Sequence, residues 1–190
     1  HIFDGDWYYN NNAFRAPGAA SMDDLVIPKK KVEYYESIYS RMHKGIVAHP
    51  YYLIEDKFNQ LRELTFVFLS IDKGDIKKKI IEFLQLHKIP FIDSGIGVDF
   101  KNGSLTGLIR NTTGTPNNYN HLWNSPYISY QDNPDNEYKN IQVAELNLLN
   151  AGFAVLKWKK LRGFYHDLTN EHNMFYRINA NKIQNDETGT

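Results

Sequence analysis

The chain has 190 residues, 42% of them hydrophobic and 23% charged, with 22 basic side chains against 22 acidic ones and no cysteine. A chain of this length buries roughly 70% of its unfolded surface, so the composition describes one ordinary globular domain over residues 1–190. The zero net charge argues against nucleic acid as a partner. The missing thiols exclude disulfides, thiolate zinc sites and a cysteine nucleophile in this polypeptide.

His1 to Phe3 reads as the end of a strand running into Asp4-Gly5-Asp6. Trp7 to Pro17 reads as loop, dense in Tyr and Asn. From Pro28 the residues Val32, Tyr35, Ile38, Tyr39 and Met42 recur three and four apart, which predicts an amphipathic helix ended by Gly45. Ile46 to Ile54 reads as a strand interrupted by Pro50. Thr65 to Ile71 is a continuous apolar run of the kind buried on both faces of a parallel sheet, closed by Asp72. Ile76 to Leu86 predicts a second helix with Ile76, Ile80, Phe83 and Leu84 inward and Lys77, Lys78 and Lys79 on the exposed face.

Phe91-Ile92 and Gly95 to Phe100 predict a strand region, Asn102-Gly103 a hairpin turn, and Ser104 to Arg110 the returning antiparallel strand. Asn111 to Asn140 reads as a long functional or interaction loop. Ile141 to Gly163 predicts the longest helix, Met174 to Ile183 a last strand, and Gln184 to Thr190 a polar tail. No apolar run approaches the ~20 residues of a membrane span, and His1 to Asp6 lacks the layout of a signal peptide, so the expected location is cytoplasmic, with no membrane partner.

This alternation predicts a doubly wound α/β domain with a mixed sheet, and in such sheets ligands bind beyond the carboxyl ends of the parallel strands, where Asp4 and Asp72 fall. A carboxylate at such a strand end is placed to accept hydrogen bonds from a ribose diol. Each piece has a plainer reading. Asp4-Gly5-Asp6 is ordinary turn chemistry, Lys29-Lys30-Lys31 a solvated helix start, and Asp72 a strand-end cap. The lysine run opposes the helix dipole, which argues for an anionic ligand nearby. The glycines of Asp93-Ser94-Gly95-Ile96-Gly97 allow close backbone approach in a strand rather than a phosphate loop. The scattered histidines have no metal-ligand spacing. Tyr34, Tyr35, Tyr39, Phe153 and Phe164 fall at helical spacing and are read as core or dimer interface.

Taken in order, Asp4-Gly5-Asp6, Asn12-Ala13-Phe14-Arg15 and Lys31-Val32-Glu33 resemble the ThiF/MoeB/HesA adenylyltransferases, relatives of ubiquitin-activating enzymes. Their pattern is D-x-D, five residues, N-x-x-R, and later K-x-E at a helix start. The resemblance continues through Phe66 to Ser70, Asp72, Lys77 and Ile89-Pro90, and reaches about residue 165. It implies a Rossmann-like three-layer sandwich with a mixed, mainly parallel sheet, and ATP-dependent activation of the C-terminal carboxylate of a ubiquitin-like or sulfur-carrier β-grasp protein as an acyl adenylate. By the same resemblance Asp4, Asp6, Asn12, Arg15, Lys31 and Asp72 hold the nucleotide, Arg15 and Lys31 neutralise its phosphates, Asp72 holds Mg2+, and the protein is a homodimer.

Three departures stand out. The family's T-D-N element is Ile71-Asp72-Lys73 here; the usual arginine beyond it is Lys77; and no G-x-G-x-x-G occurs. The first strand, glycine loop and first helix of the family are therefore expected to be missing, which leaves an inactive scaffold or dimerisation partner as the alternative. With no cysteine, no structural zinc and no internal thioester are expected. A nicotinamide-binding enzyme would give Asn12, Arg15 and Lys31 no role.

Overall fold

The computed structural model describes residues 1–124, 127–131 and 143–187. They form two compact units, His1–Phe58 and Asn59–Thr190. Among the described residues no helix is long and apolar enough to cross a membrane.

The first unit is built on two short parallel strands, β1 (Ile2–Phe3) and β2 (Ala48–His49), in register Ile2 to Ala48 and Phe3 to His49. Pro50 ends β2 because it has no N–H to donate. Between them come α1 (Asn10–Arg15), α2 (Met22–Val26) and α3 (Lys31–Tyr39). Helix α1 falls where a loop was expected. Its asparagines are poor helix formers, but the Asn12 side chain turns back to accept the Tyr9 N–H at 2.9 Å, which closes the helix start. Helix α2, also unforeseen, is capped by Ser21, whose hydroxyl accepts the Asp24 N–H at 3.2 Å. Helix α3 starts as expected but stops at Tyr39, and turns carry the chain to Gly45 at φ +82°. The unit packs through rings: Tyr8 stacks on Tyr34 at 3.8 Å between centroids, and both are buried.

The second unit holds a five-stranded sheet in order β3 (Val67–Leu69), β4 (Phe91–Lys101), β5 (Ser104–Gly114), β6 (Glu171–Arg177) and β7 (Lys182–Glu187). β3 and β4 are parallel; the other pairings are antiparallel. The α/β fold with a mixed sheet is thus as expected, with its parallel pairings at β1/β2 and β3/β4. β4 and β5 pair over their whole lengths around Asn102-Gly103, both at positive φ (52° and 82°), as the hairpin signal requires. The polar tail read from Gln184 onward is instead part of β7 as far as Glu187, because Asn173 and Asp186 pair across the strands. Asn111 to Gly114, read as loop, completes β5, and Asn120–Asn124 forms α5. Residues 125–126 and 132–140 of that expected loop, and 141–142 at the start of the expected helix, lie outside the described residues.

Helices α4 (Gly74–Leu86) and α6 (Ala144–Leu161) cover opposite faces of this sheet. Asp93 reaches Lys77 of α4, whereas the next residue, Ser94, bonds Asn111, which donates to the Asn150 carbonyl of α6. Successive strand residues point to opposite faces, so unit two is a three-layer α/β/α sandwich. On the α4 side Ile80, Ile81 and Leu84 are completely buried, each stabilising by about 1.5–3 kcal/mol. On the other side Val98, Ile109 and Leu146 form a cluster joined by Ile96, Val143, Phe153 and Tyr176. β3 departs from expectation, since Phe68 is 47% exposed rather than buried on both faces. β3 is the terminal strand of its sheet, and the Phe66 and Phe68 rings meet mainly each other and Trp158 of α6.

Candidate functional site

The parallel register of β1 and β2 sets Asp4, Gly5 and Asp6 beside the residues that follow His49, and the Asp4 N–H donates to the His49 carbonyl at 3.3 Å. The Asp4 carboxylate folds over its own turn and accepts the Asp6 N–H at 2.8 Å. Helix α3 begins against this turn, with the Lys31 N–H on the Asp6 carbonyl at 3.0 Å.

The three consecutive lysines, indistinguishable in sequence, go to three places. Lys29 pairs with Asp24 at 2.9 Å. Lys30 donates to the Gly5 carbonyl at 2.7 Å, with its ammonium 4.2 Å from the Trp7 ring centroid. Lys31 alone reaches both acidic side chains, at 2.5 Å from Asp6 and 3.6 Å from Asp4. Glu33 accepts the Lys30 N–H at 3.1 Å and caps α3. The basic run is therefore offset by the protein's own Asp24, Glu33, Asp4 and Asp6. Its opposition to the helix dipole needs no external anion, which corrects the argument drawn from sequence.

Asn12 is 7% exposed, its side-chain oxygen spent on the Tyr9 N–H. Arg15 closes α1 one turn further on. Burial chiefly, then the neighbouring phenols Tyr39 and Tyr34, push the Tyr35 hydroxyl above its ordinary pKa; Arg15 opposes that shift and Asp4 adds to it. Both charges therefore act on one ring. Asp4, Asp6 and Lys31 are brought into contact, with Arg15 and Asp4 within electrostatic reach of Tyr35.

Asp72 belongs to the second unit, exposed in the link between β3 and α4, with Lys73 at the N-cap of α4. Among the described residues no group of three or more His, Asp or Glu side chains is arranged to hold a metal ion. Lys77 is only 6% exposed, against the expectation of a solvated face, while Lys78 and Lys79 are exposed. Lys77 falls three, four and seven residues before Ile80, Ile81 and Leu84 on the buried stripe, and its ammonium finds Asp93 at 3.4 Å. Asp93 is fully buried and bonds Arg110 at 2.5 Å. Arg110 also donates to Thr112, which donates to Asn173 at 2.6 Å. A Cβ at Gly95 would lie 2.7 Å from the Arg110 guanidinium, which would have to shift to admit it. The close backbone approach expected at Gly95 and Gly97 is not what the structure has: the neighbour of Gly95 is the Arg110 side chain, nothing lies within 4 Å of a Cβ built at Gly97, and the network itself was not foreseen. Its signal was a charged residue, Asp93, inside an apolar strand.

A separate cavity of about 220 Å³ lies between α6 and the sheet, lined by Asn111, Phe153, Lys157, Glu171, His172 and Asn185 among others. Its lining includes none of Asp4, Asp6, Asn12, Arg15, Lys31 and Asp72.

The described architecture is a Rossmann-like α/β fold. Among solved structures it is similar to Escherichia coli MccB crystallised with ATP, with TM-score 0.68 and 16% identity over 97% of this chain and 55% of that one. MccB with MccA-N7isoASN gives TM-score 0.68 at 17% identity, over 97% of this chain and 56% of that one. PaaA gives TM-score 0.65 at 13% identity, over 96% of this chain and 54% of that one. The chain thus spans about half the length of these proteins. No family model matches it, and no curated protein matches it by sequence.

Proposed function

We propose that the protein is an ATP-dependent adenylyltransferase of the ThiF type. It activates the C-terminal carboxylate of a ubiquitin-like or sulfur-carrier β-grasp protein, acting in the cytoplasm as a homodimer. The observation that carries this reading is Lys31, set between Asp4 and Asp6 at the carboxyl end of a parallel strand. That donor set fits a nucleotide: carboxylate oxygens for a ribose diol, an ammonium for phosphate. The motif resemblance supports the same assignment, as does the fold shared with MccB, a protein solved with ATP and with N-formylated MccA.

In this reading Asp4 and Asp6 face the ribose, Asn12 supplies a neutral polar contact, and Arg15 and Lys31 offset phosphate charge. Arg15 offers a planar fork and Lys31 a mobile point charge, so neither replaces the other. ATP supplies the α-phosphorus: an oxygen of the carrier's carboxylate bonds to it, and the bond to the β-phosphate breaks as pyrophosphate leaves. The protein's share is fixed charge rather than covalent chemistry. By the motif resemblance Asp72 would be the carboxylate that holds Mg2+, whose charge would offset that of the phosphates.

The test is pyrophosphate exchange into ATP with β-grasp proteins ending in a free carboxylate. Exchange is expected, reduced about 10²–10³-fold by Arg15→Ala or Asp72→Ala. Exchange indifferent to both substitutions overturns the site assignment.

A second reading, a scaffold that keeps the fold without the chemistry, is favoured by two observations. Lys31 is already engaged by Asp6, and Lys73 follows Asp72 directly. A scaffold should fail to bind ATP in calorimetric titration.

A further inference from the structure

One side chain that the proposed chemistry does not use holds the Asp4-Gly5-Asp6 turn in shape. Tyr52 lies three residues beyond β2, so the parallel pairing carries it alongside that turn. Its hydroxyl donates to one carboxylate oxygen of Asp6 at 2.5 Å, and the other oxygen of the same carboxylate holds Lys31 at 2.5 Å. Its ring lies against Gly5, where a Cβ would come within 2.8 Å of the ring carbons. Lys30 grips the Gly5 carbonyl at 2.7 Å. Gly5 is thus fixed by a ring and an ammonium, and Asp6 is shared between a phenol and an ammonium.

Building on the nucleotide-site reading of this turn, we infer that Tyr52 is a positioning residue: by occupying one oxygen of Asp6 it limits Lys31 to the other, and so sets how readily Lys31 leaves Asp6 for an anionic ligand. A carboxylate has two acceptor oxygens and can grip an ammonium with both. With the phenol in place one oxygen is committed, and part of the carboxylate's charge is spent on the hydroxyl hydrogen. The phenol is affected in turn: the hydrogen bond to Asp6, then that carboxylate's charge, raise its pKa above the ordinary value. Without the hydroxyl, both oxygens of Asp6 turn to Lys31 and the ammonium is held more tightly.

The test uses the full chain and the variants Tyr52→Phe, Gly5→Ala, Tyr52→Ala and Gly5→Ala/Tyr52→Ala. Tyr52→Phe removes only the hydroxyl. It should raise the KM for ATP in pyrophosphate exchange by roughly 3- to 10-fold, move kcat less, and slow acylation of Lys31 by an amine-reactive reagent, followed by mass spectrometry without nucleotide. Gly5→Ala displaces the ring and should reproduce the KM change. In the Tyr52→Ala background it should add nothing, because the clashing ring is gone.

If Tyr52→Phe leaves both KM and Lys31 acylation unchanged, the inference falls while the nucleotide reading stands. If the parent chain shows no ATP binding and no exchange, the nucleotide reading falls instead. The acylation rates, taken without ATP, then still decide whether Tyr52 controls Lys31. An equal Gly5→Ala effect with and without the Tyr52 ring overturns the packing half of the argument.

Discussion

At the scale of single residues, neighbours separate side chains that look equivalent in the sequence. Of three adjacent lysines only Lys31 touches both acidic side chains of the turn, so Lys31→Met should cut pyrophosphate exchange by about 10²-fold or more. Lys29→Met, which removes the pair with Asp24, should leave exchange within about threefold, since a half-exposed surface pair contributes little. Initial rates at saturating ATP check both. A second residue-scale prediction concerns Asp167. Burial by itself would push its carboxyl up, but the hydrogen bond and charge of Lys157 at 2.9 Å, with the Asn170 N–H and Lys160, bring it down to about 2. A carboxyl depressed in the folded state stabilises the protein above its unfolded pKa of ~3.9 and loses that contribution as pH falls toward 2. Carbon-detected NMR titration should find Asp167 near 2, and Lys157→Met should move it upward, part of the way to ~3.9.

At the scale of elements, the Lys77–Asp93–Arg110 group decides how β4, β5 and α4 lock together. Two cations and one carboxylate share a buried space, so deleting the carboxylate strands both cations. Asp93→Ala should destabilise by about 3–5 kcal/mol in urea unfolding. Gly95→Ala, which pushes into the Arg110 guanidinium, should cost about 1–3 kcal/mol. Elements were legible in the sequence where periodicity and turn chemistry were strong: α4, the β4/β5 hairpin with Asn102-Gly103, and the opening of α3. They were hidden where one side-chain contact overrides propensity. Asn10-Asn11-Asn12 reads as loop until Asn12 closes back on Tyr9. Lys77 reads as solvated until Asp93, a partner sixteen residues on, is seen beneath it. Of the candidate site, the acidic turn and its lysine were visible as motifs. Tyr52 was not, because its contact with Asp6 spans 46 residues and no local pattern marks it.

At the scale of the whole molecule, the two units have unequal means of holding themselves together. The first pairs two residues of β1 with two of β2 and relies on stacked tyrosines; a two-stranded sheet is marginal in isolation. The second has five strands between two helices. Hydrogen exchange should therefore release the β1 and β2 amides well before those of β4 and β5. Asp93→Ala should speed exchange in the second unit without changing the order. The exposed Leu148, Leu149, Val155 and Leu156 of α6 belong to the same scale. If the protein is the homodimer proposed above, charged substitutions at Leu149 and Leu156 that leave its elution volume and sedimentation unchanged would place the interface elsewhere.

The hairpin of β4 and β5 also orders events in time. Asp93 and Arg110 are 17 residues apart, whereas Thr112 and Asn173, the next link of the same chain of bonds, are separated by 61. Short loops close faster than long ones. The Arg110 guanidinium is therefore expected to find Asp93 before Thr112 finds Asn173, and pulse-labelled hydrogen exchange during refolding should protect β4 and β5 before β6.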